Sequence, residues 1–451
     1  MTMQDLFARY DVPVPRYTSY PTVPQWTDTP APDVWLASLA AALAEPARAL
    51  AVYVHMPFCE SLCTYCGCNT VITRDHDREQ PYLDVILAEL DAYRQRVPAL
   101  GDRGVAELHL GGGTPTFFSA DRLAALIDGL ADRLPLAGSD GLFEGSIEAD
   151  PRVTSSEQLR VLHARGFRRV SFGVQDIDDE VQRLVNRRQS WELTTRLYET
   201  ARALGYASIN LDLIYGLPGQ TPASMVRLAD AVAALRPDRL AVYSFARVPW
   251  IKPAQRKFRD DQIPEGAEKR ALYEIIRARL LADGYVEIGL DHFARPEDAL
   301  ARAAGTGALH RNFMGYTERR TDALLGLGVS AISETPDCYH QNEKVLPVYE
   351  RRVRAGELPT LRGHVLTPED RRVGAAILRL MTTFRVRLEA ADFDRADADL
   401  AALAADGVIE IDGREIRVPS RGRPFLRNIA AALDARMRAA PPARPTHSRA
   451  L

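Results

Sequence analysis

Six short apolar runs between residues 51 and 245 constrain the fold more than any other feature. They are Ala51–His55, Glu107–Leu110, Leu142–Glu148, Arg169–Gly173, Ser208–Ile214 and Leu240–Phe245. Amphipathic helical stretches separate most of them: Tyr82–Arg96, Ala120–Arg133, Glu157–Arg165, Trp191–Leu204 and Pro222–Leu235. Apolar runs of this length between helical periods read as buried parallel strands, because parallel strands need a crossover connection. Six such units are fewer than the eight that close a barrel. The expected fold is therefore α/β: a partial (β/α)6, TIM-like barrel, open at one side to a large ligand. Chemistry in such sheets gathers at the carboxyl ends of the strands. There lie a cysteine-rich loop after strand one, Gly111-Gly-Gly-Thr-Pro-Thr116 after strand two, and Glu148-Ala-Asp150 ending strand three. Gln175-Asp176 follows strand four, and Asp212 lies in strand five.

Outside this region the pattern changes. Residues 1–50 are irregular and rich in Pro, Thr and Tyr, with one short helix expected at Pro32–Ala44, and read as an N-terminal extension over the site. The barrel is expected to occupy 51–266 and a mainly α C-terminal domain 267–438, covering the barrel. Helices at Pro368–Met381 and Ala398–Ala405, then a hairpin in 408–418 turning at Asp412-Gly413, suggest a winged-helix-like module in that domain. Residues 439–451 read as a disordered tail. A net charge of −3 gives no reason to expect nucleic acid or an anionic membrane as partner. No apolar run approaches the ~20 residues of a membrane span. A cytoplasmic monomer is expected.

Four cysteines fall within ten residues: Cys59, Cys63, Cys66 and Cys68. The first three are spaced C-x3-C-x2-C. A structural zinc site usually draws four ligands from paired spacings, and no second pair exists here, since Cys338 is remote. Three bunched thiolates fit a [4Fe–4S] cube better, with one iron left free of protein ligands. An open iron of that kind can hold the amino and carboxylate groups of S-adenosylmethionine (SAM). The bunching also argues against disulfides.

Other motifs are less specific. Gly111–Gly113 lets backbone N–H groups approach a ligand, but a glycine turn after a strand is common. Glu148 and Asp212 are carboxylates in otherwise apolar strands, and a buried charge needs a partner. That partner is either an arginine such as Arg187 or a ribose or ammonium group of a ligand. His55 lies four residues before Cys59, and Tyr53, two residues earlier, shares its face of the strand. His292 and His310 sit in polar segments that would suit a cap over a flat, acidic substrate.

Together these residues resemble the oxygen-independent coproporphyrinogen III oxidases, members of the radical SAM superfamily, over roughly Pro15 to Asp434. The specific markers are Pro15-Arg-Tyr-Thr-Ser-Tyr-Pro-Thr22, Tyr53 through Asn69, Gly111-Gly-Gly-Thr-Pro-Thr116 and Gly173-Val-Gln-Asp176. Further markers are Val181-Gln-Arg-Leu-Val-Asn-Arg187, Asp212-Leu-Ile-Tyr-Gly-Leu-Pro218, Asp291-His-Phe-Ala-Arg-Pro296 and Gly326-Leu-Gly-Val-Ser-Ala-Ile-Ser333. The resemblance implies a radical SAM barrel. It implies that two propionate side chains of coproporphyrinogen III are oxidatively decarboxylated to vinyl groups, giving protoporphyrinogen IX for haem biosynthesis. A reduced flavodoxin- or ferredoxin-type donor supplies electrons, and a 5′-deoxyadenosyl radical takes hydrogen from the propionate β-carbon.

Carried over by position, Cys59, Cys63 and Cys66 match the cluster ligands, and Cys68 a family cysteine that does not ligate iron. Tyr53, Tyr65, Gly112, Gly113, Thr114, Glu148, Gln175, Arg187, Asp212 and Ala246 match contacts to SAM. Tyr53, His55 and Glu148 are the candidate catalytic residues. A second SAM, seen in the family, would lie beside Phe313 and Ile332. The adjacent position is commonly glutamine; here it is Met314, which cannot supply that amide's hydrogen bonds. Arg16 and Arg311 are candidates for binding substrate carboxylates. The alternatives are a haem chaperone of the same superfamily, whose members lack the Arg-Tyr-Thr-Ser-Tyr-Pro segment, and a zinc protein with a nucleic-acid module.

Overall fold

The computed structural model describes residues 1–26, 30–44, 49–137, 142–439 and 447–450. Twelve strands form one sheet. Its centre is β1 (Leu50–Met56), β2 (Val105–Gly112), β3 (Glu144–Ala149), β4 (Phe167–Gln175), β5 (Ser208–Tyr215) and β6 (Arg239–Ser244). These six are parallel and adjacent in chain order. The remaining strands are β7 (Val286–Glu287), β8 (His292–Ala294), β9 (Ala323–Leu327), β10 (Ile332–Glu334), β11 (Cys338–Asn342) and β12 (Thr360–Val365). β8 and β7 continue the sheet antiparallel beyond β6. β9 adds parallel to β1, and β10, β11 and β12 follow antiparallel.

The sheet therefore does not stop at residue 266. Residues 286–365 extend it at both edges, so the sheet runs on past the expected barrel boundary at 266. The run Ala323-Leu-Leu-Gly-Leu327 is wholly buried, yet no helical repeat surrounds it to mark it as a strand. What pins it is its long-range pairing with β1, from Leu50 opposite Ala323 to Val54 opposite Leu327.

Alternation along each central strand sorts its side chains between two faces. Val52, Val54, Leu108, Leu110, Ile147, Val170, Phe172, Leu211, Leu213 and Val242 join the main hydrophobic core with the covering helices. Their neighbours Tyr53, His55, His109, Glu148, Ser171, Asn210, Asp212 and Tyr243 point to the other face. Local signals end the helices where the strands need them. Ser155 and Thr221 make capping boxes before Ser156–Ala164 and Pro222–Leu235, and Gly205 closes Trp191–Leu204 with φ +92°.

A second core joins the two ends of the chain. Leu6, Val14, Tyr17 and Tyr20 pack with Val373, Ile377, Leu400, Ile416 and Phe425. The helices Pro368–Thr383 and Ala390–Ala405 stand beside a three-stranded antiparallel sheet of Arg385–Arg387, Glu410–Asp412 and Glu415–Arg417. A helix at Met3–Tyr10, not foreseen from the sequence, starts with a Thr2–Asp5 capping box. Of the segment read as a disordered tail, residues 440–446 and 451 lie outside the described residues. Residues 447–450 run antiparallel to 12–14, with the Ala450 amide donating to the Val12 carbonyl at 2.9 Å. Among the described residues, no helix is long and apolar enough to cross a membrane.

Candidate active site

The cysteine loop leaves β1 at Met56 and is fixed at both ends. Phe58 is fully buried against Tyr82, Phe117 and Phe118, and the pair Phe58–Cys59 runs parallel to Val71–Ile72. In its middle the Thr64 amide donates to the Val185 carbonyl at 3.0 Å, and the Asn186 amide group to the Leu62 carbonyl at 2.8 Å. The loop so held lines one wall of a cavity of about 400 Å³, within the usual range for small-molecule sites.

Twelve of the residues singled out in the sequence line this cavity: Cys59, Cys63, Cys66, Tyr65, Gly112, Gly113, Thr114, Glu148, Gln175, Arg187, Asp212 and Ala246. They come from the loop, from the carboxyl ends of five strands and, for Arg187, from the turn after the helix Asp179–Leu184. Tyr53 and His55 stand behind the wall. Phe313 and Ile332 are elsewhere, packed against Trp26 and Tyr339. A smaller recess of about 140 Å³ continues beneath the cavity and shares Glu148, Ser171, Asp212 and Tyr243 with it; Met314 and His292 are on its wall.

The sulfurs have distinct surroundings. Cys59 Sγ lies 3.1 Å from Thr114 Oγ1, and burial pushes its thiol up to about 12. Cys66 is held at about 6, chiefly by hydrogen bonding with Cys68, whose amide donates to Cys66 Sγ at 3.4 Å. Arg152 Nη2 and Arg187 Nη1 approach Cys63 Sγ at 3.5 and 3.7 Å. Both arginines also clasp Asp150, at 2.6 and 2.9 Å. The sequence points to Asp150 only as the end of strand three, with no role attached, and does not point to Arg152. Their signal was position alone, at and just beyond the carboxyl end of a strand.

The donor set suits an iron–sulfur cluster. Three thiols from one loop face a single cavity, two guanidinium groups donate toward sulfur, and Arg187 Nε is buried with no protein partner. Among the described residues no three His, Cys, Asp or Glu side chains draw close enough for a single metal ion.

Two amides of the glycine turn already have partners within the protein. The Gly112 amide donates to Glu148 Oε2 at 3.0 Å, and the Gly113 amide to the Met56 carbonyl at 2.8 Å. These N–H groups bind the protein itself. Glycine is required for space: a Cβ on Gly112, at φ +113°, would lie 2.6 Å from the His55 ring, and one on Gly113 would lie 2.5 Å from Pro57 O.

Neither strand carboxylate pairs with Arg187. Glu148 accepts from Gly112 and lies 3.6 Å from His109 Nε2. Burial alone would raise its carboxyl, but His109 and the Gly112 amide hold it below the usual range. Asp212 accepts from Ser171 Oγ and Asn210 Nδ2, both at 2.8 Å. Burial, and then the Glu148 charge, push Asp212 up to about 6. Tyr53 and His55 form a neutral pair. His55 Nε2 donates to the Asn69 carbonyl at 2.9 Å, so Nδ1 accepts from the Tyr53 hydroxyl at 3.0 Å. Burial lowers the imidazole and raises the phenol, which keeps both uncharged.

Arg16 and Arg311 each have some of their donors engaged by the protein, while Arg311 Nε is buried with no partner among the described residues. Arg16 pairs with Asp291, and Arg311 Nη1 donates to the Arg16 and Tyr17 carbonyls. Arg311 thus ties the N-terminal extension to the hairpin His310–Thr317, and Arg16 ties it to Asp291.

Known proteins resemble this chain over nearly its whole length. The sequence model of the radical SAM superfamily matches residues 53–232. An oxygen-independent coproporphyrinogen III oxidase from Escherichia coli is 41% identical over 443 residues, 96% of this chain and 95% of the relative. One from Pseudomonas aeruginosa is 41% identical over 440 residues, covering 95% of each. The solved structure of the Escherichia coli coproporphyrinogen III oxidase, described as a radical SAM enzyme, superposes with a TM-score of 0.87 over 93% of this chain and 97% of that one. This chain belongs to the oxygen-independent coproporphyrinogen III oxidases of the radical SAM superfamily.

Proposed function

We propose that the 400 Å³ cavity is where this chain oxidatively decarboxylates two propionates of coproporphyrinogen III to give protoporphyrinogen IX. The observation that carries the reading is the convergence of three loop thiols with Glu148, Gln175, Arg187 and Asp212 on one cavity, in a chain of this family. A [4Fe–4S] cluster held by Cys59, Cys63 and Cys66, with SAM, supplies the electron and the hydrogen abstraction. Deprotonation of Cys59 accompanies iron binding, since burial alone keeps it a thiol.

The chain's own residues position and shield. Arg152 and Arg187 direct positive charge at Cys63 Sγ. Glu148 stays ionised and faces the cavity, suited to accept from an ammonium or hydroxyl group of SAM. Asp212 takes up the ribose hydroxyls, and Tyr65, Gln175 and Ala246 complete the wall. Tyr53 and His55 act by support: their neutral bond braces Asn69 and leaves no room beneath Gly112. A second SAM beside Phe313 and Ile332 would meet the thioether of Met314 where an amide is common, so its contacts there are van der Waals only. The strands, as a partial barrel, present these groups on one concave face. The C-terminal helices and three-stranded sheet form a winged-helix-like module that packs over that barrel, and a flavodoxin- or ferredoxin-type protein is the electron donor.

The reading is tested by anaerobic reconstitution. About four irons and four sulfides per chain are expected, with a reduced-cluster spin-resonance signal that changes on adding SAM. A signal indifferent to SAM would overturn the cofactor assignment.

A further inference from the structure

The proposed reaction draws an electron from outside the chain, so a carrier has to come to rest near the three cysteines. Two segments remote in sequence are bonded directly to the cysteine loop. In 185–188 the Val185 carbonyl accepts from the Thr64 amide at 3.0 Å, and the Asn186 side chain donates to the Leu62 carbonyl at 2.8 Å. In 248–257 Lys252 Nζ donates to the Cys68 carbonyl at 2.9 Å, and Gln255 Nε2 reaches the Tyr65 carbonyl at 3.5 Å. The second segment opens with a tight turn, in which the Ile251 and Lys252 amides both donate to the Val248 carbonyl at 2.9 Å. Gln255 Oε1 accepts from the Val248 amide at 2.6 Å and Arg256 Nε donates to the Pro249 carbonyl at 3.2 Å, so the turn is held at both ends.

That turn keeps its large apolar side chains out of the core. Trp250 is 49% exposed and Ile251 54%, and Leu62 on the cysteine loop is 40% exposed. A lone exposed leucine needs no explanation, but a Trp–Ile pair presented on a fixed turn marks a contact surface. The charge around it has one sign. Segments 61–69, 185–188 and 248–257 contain no Asp or Glu, yet contain Arg187, Arg188, Lys252, Arg256 and Lys257, in a chain whose net charge is −3. Arg187 turns inward to Asp150. Arg188, Arg256 and Lys257 are exposed, with no carboxylate within ion-pair distance among the described residues. The acids that follow are already engaged: Arg247 takes Asp260 and Glu265, and Arg259 takes Asp261.

We propose that Trp250, Ile251 and Leu62, with Arg188, Arg256 and Lys257, form the docking face for a small acidic protein that carries one electron. Burial of a tryptophan anchors such a complex, and unpaired cations steer an acidic partner to it. This rests on the function proposed above and names where the reductant of that site binds. One electron leaves the carrier, which is oxidised by one equivalent, and reduces the cluster by one; no bond forms or breaks. The route inward is short. Lys252, two residues from Trp250, holds the Cys68 carbonyl, and the Cys68 amide donates to Cys66 Sγ at 3.4 Å.

The test uses the full-length, reconstituted protein with a flavodoxin as the probe. Two variants are compared with the wild type: Arg256→Glu/Lys257→Glu, and Trp250→Ala. Binding is measured by titration calorimetry at low and high salt, and electron transfer by stopped-flow oxidation of the reduced flavodoxin, without coproporphyrinogen III. Wild-type affinity should fall as salt rises. Each variant should lose about tenfold in affinity, and the charge-reversed one should also lose the salt dependence. Iron content, melting temperature and turnover driven by dithionite should stay at wild-type values, which separates docking from folding and from chemistry. Wild-type affinity and flavodoxin oxidation rates in both variants would overturn the face. So would wild-type binding indifferent to salt, or self-association through Trp250 in place of carrier binding. A wild type that binds flavodoxin and takes its electron but leaves coproporphyrinogen III untouched would instead overturn the assigned reaction and leave the docking face standing.

Discussion

Asp212→Asn should make the cluster-free protein more stable and the enzyme worse. Burial and the neighbouring Glu148 charge push the Asp212 carboxyl up to about 6 from its ordinary 3.8. The native state therefore holds this proton more tightly than the unfolded chain does. Below 3.8 both states are protonated and the group costs nothing. As pH rises from 3.8 to 6, the unfolded chain ionises first and stability falls; above 6 the full penalty is present. At about 1.36 kcal/mol for each pH step, that penalty is about 3 kcal/mol at neutral pH and about 1.6 at pH 5. Asparagine has no charge to desolvate and can keep a hydrogen bond with Ser171. The variant should gain most of that penalty at pH 7.5, about half at pH 5, about 0.5 kcal/mol at pH 4 and almost nothing below pH 3. Urea unfolding of the cluster-free proteins across this range measures it. A stability difference that does not change with pH, or a variant weaker than wild type at pH 7.5, would refute the reasoning. SAM affinity should fall in the same variant, because the carboxylate is the ligand-facing acceptor.

Other changes have equally definite outcomes. Replacing Cys59, Cys63 or Cys66 singly by Ala should abolish iron retention, whereas Cys68→Ala should keep the cluster, as read by iron and sulfide analysis. Gly112→Ala forces a Cβ to 2.6 Å from the His55 ring at φ +113° and should cost at least about 1–2 kcal/mol in thermal unfolding, with SAM binding weakened. Arg187→Met leaves Asp150 with Arg152 as its remaining ion-pair partner and should cost about 3 kcal/mol. The cluster should also be lost faster to a chelator in that variant; unchanged retention would remove Arg187 from the site.

Much of this molecule can be read from local pattern, and what cannot be read is non-local. The six central strands follow from short apolar runs between amphipathic helices, and the observed ends differ from the expected ones by a few residues. Glu148 and Asp212 stand out because a carboxylate in an apolar run has few innocent explanations. Which groups they meet is another matter. Arg187 is close in sequence to neither of them, and it reaches Asp150 instead, since Asp150 lies beyond the strand end and beside Cys63. The glycine turn announces close approach, but whether its amides face a ligand or the Met56 carbonyl depends on the neighbouring strand. β9 is invisible alone because an all-apolar pentapeptide carries no period. The contact of Trp26 with Phe313 joins segments almost three hundred residues apart, and no local rule could find it.

The central claim is the reaction, and the most direct measurement is anaerobic turnover. Reconstituted protein with SAM, a reductant and coproporphyrinogen III should give protoporphyrinogen IX together with 5′-deoxyadenosine and methionine, and Glu148→Ala should give far less. Cleavage of SAM with the propionates untouched would contradict the claim.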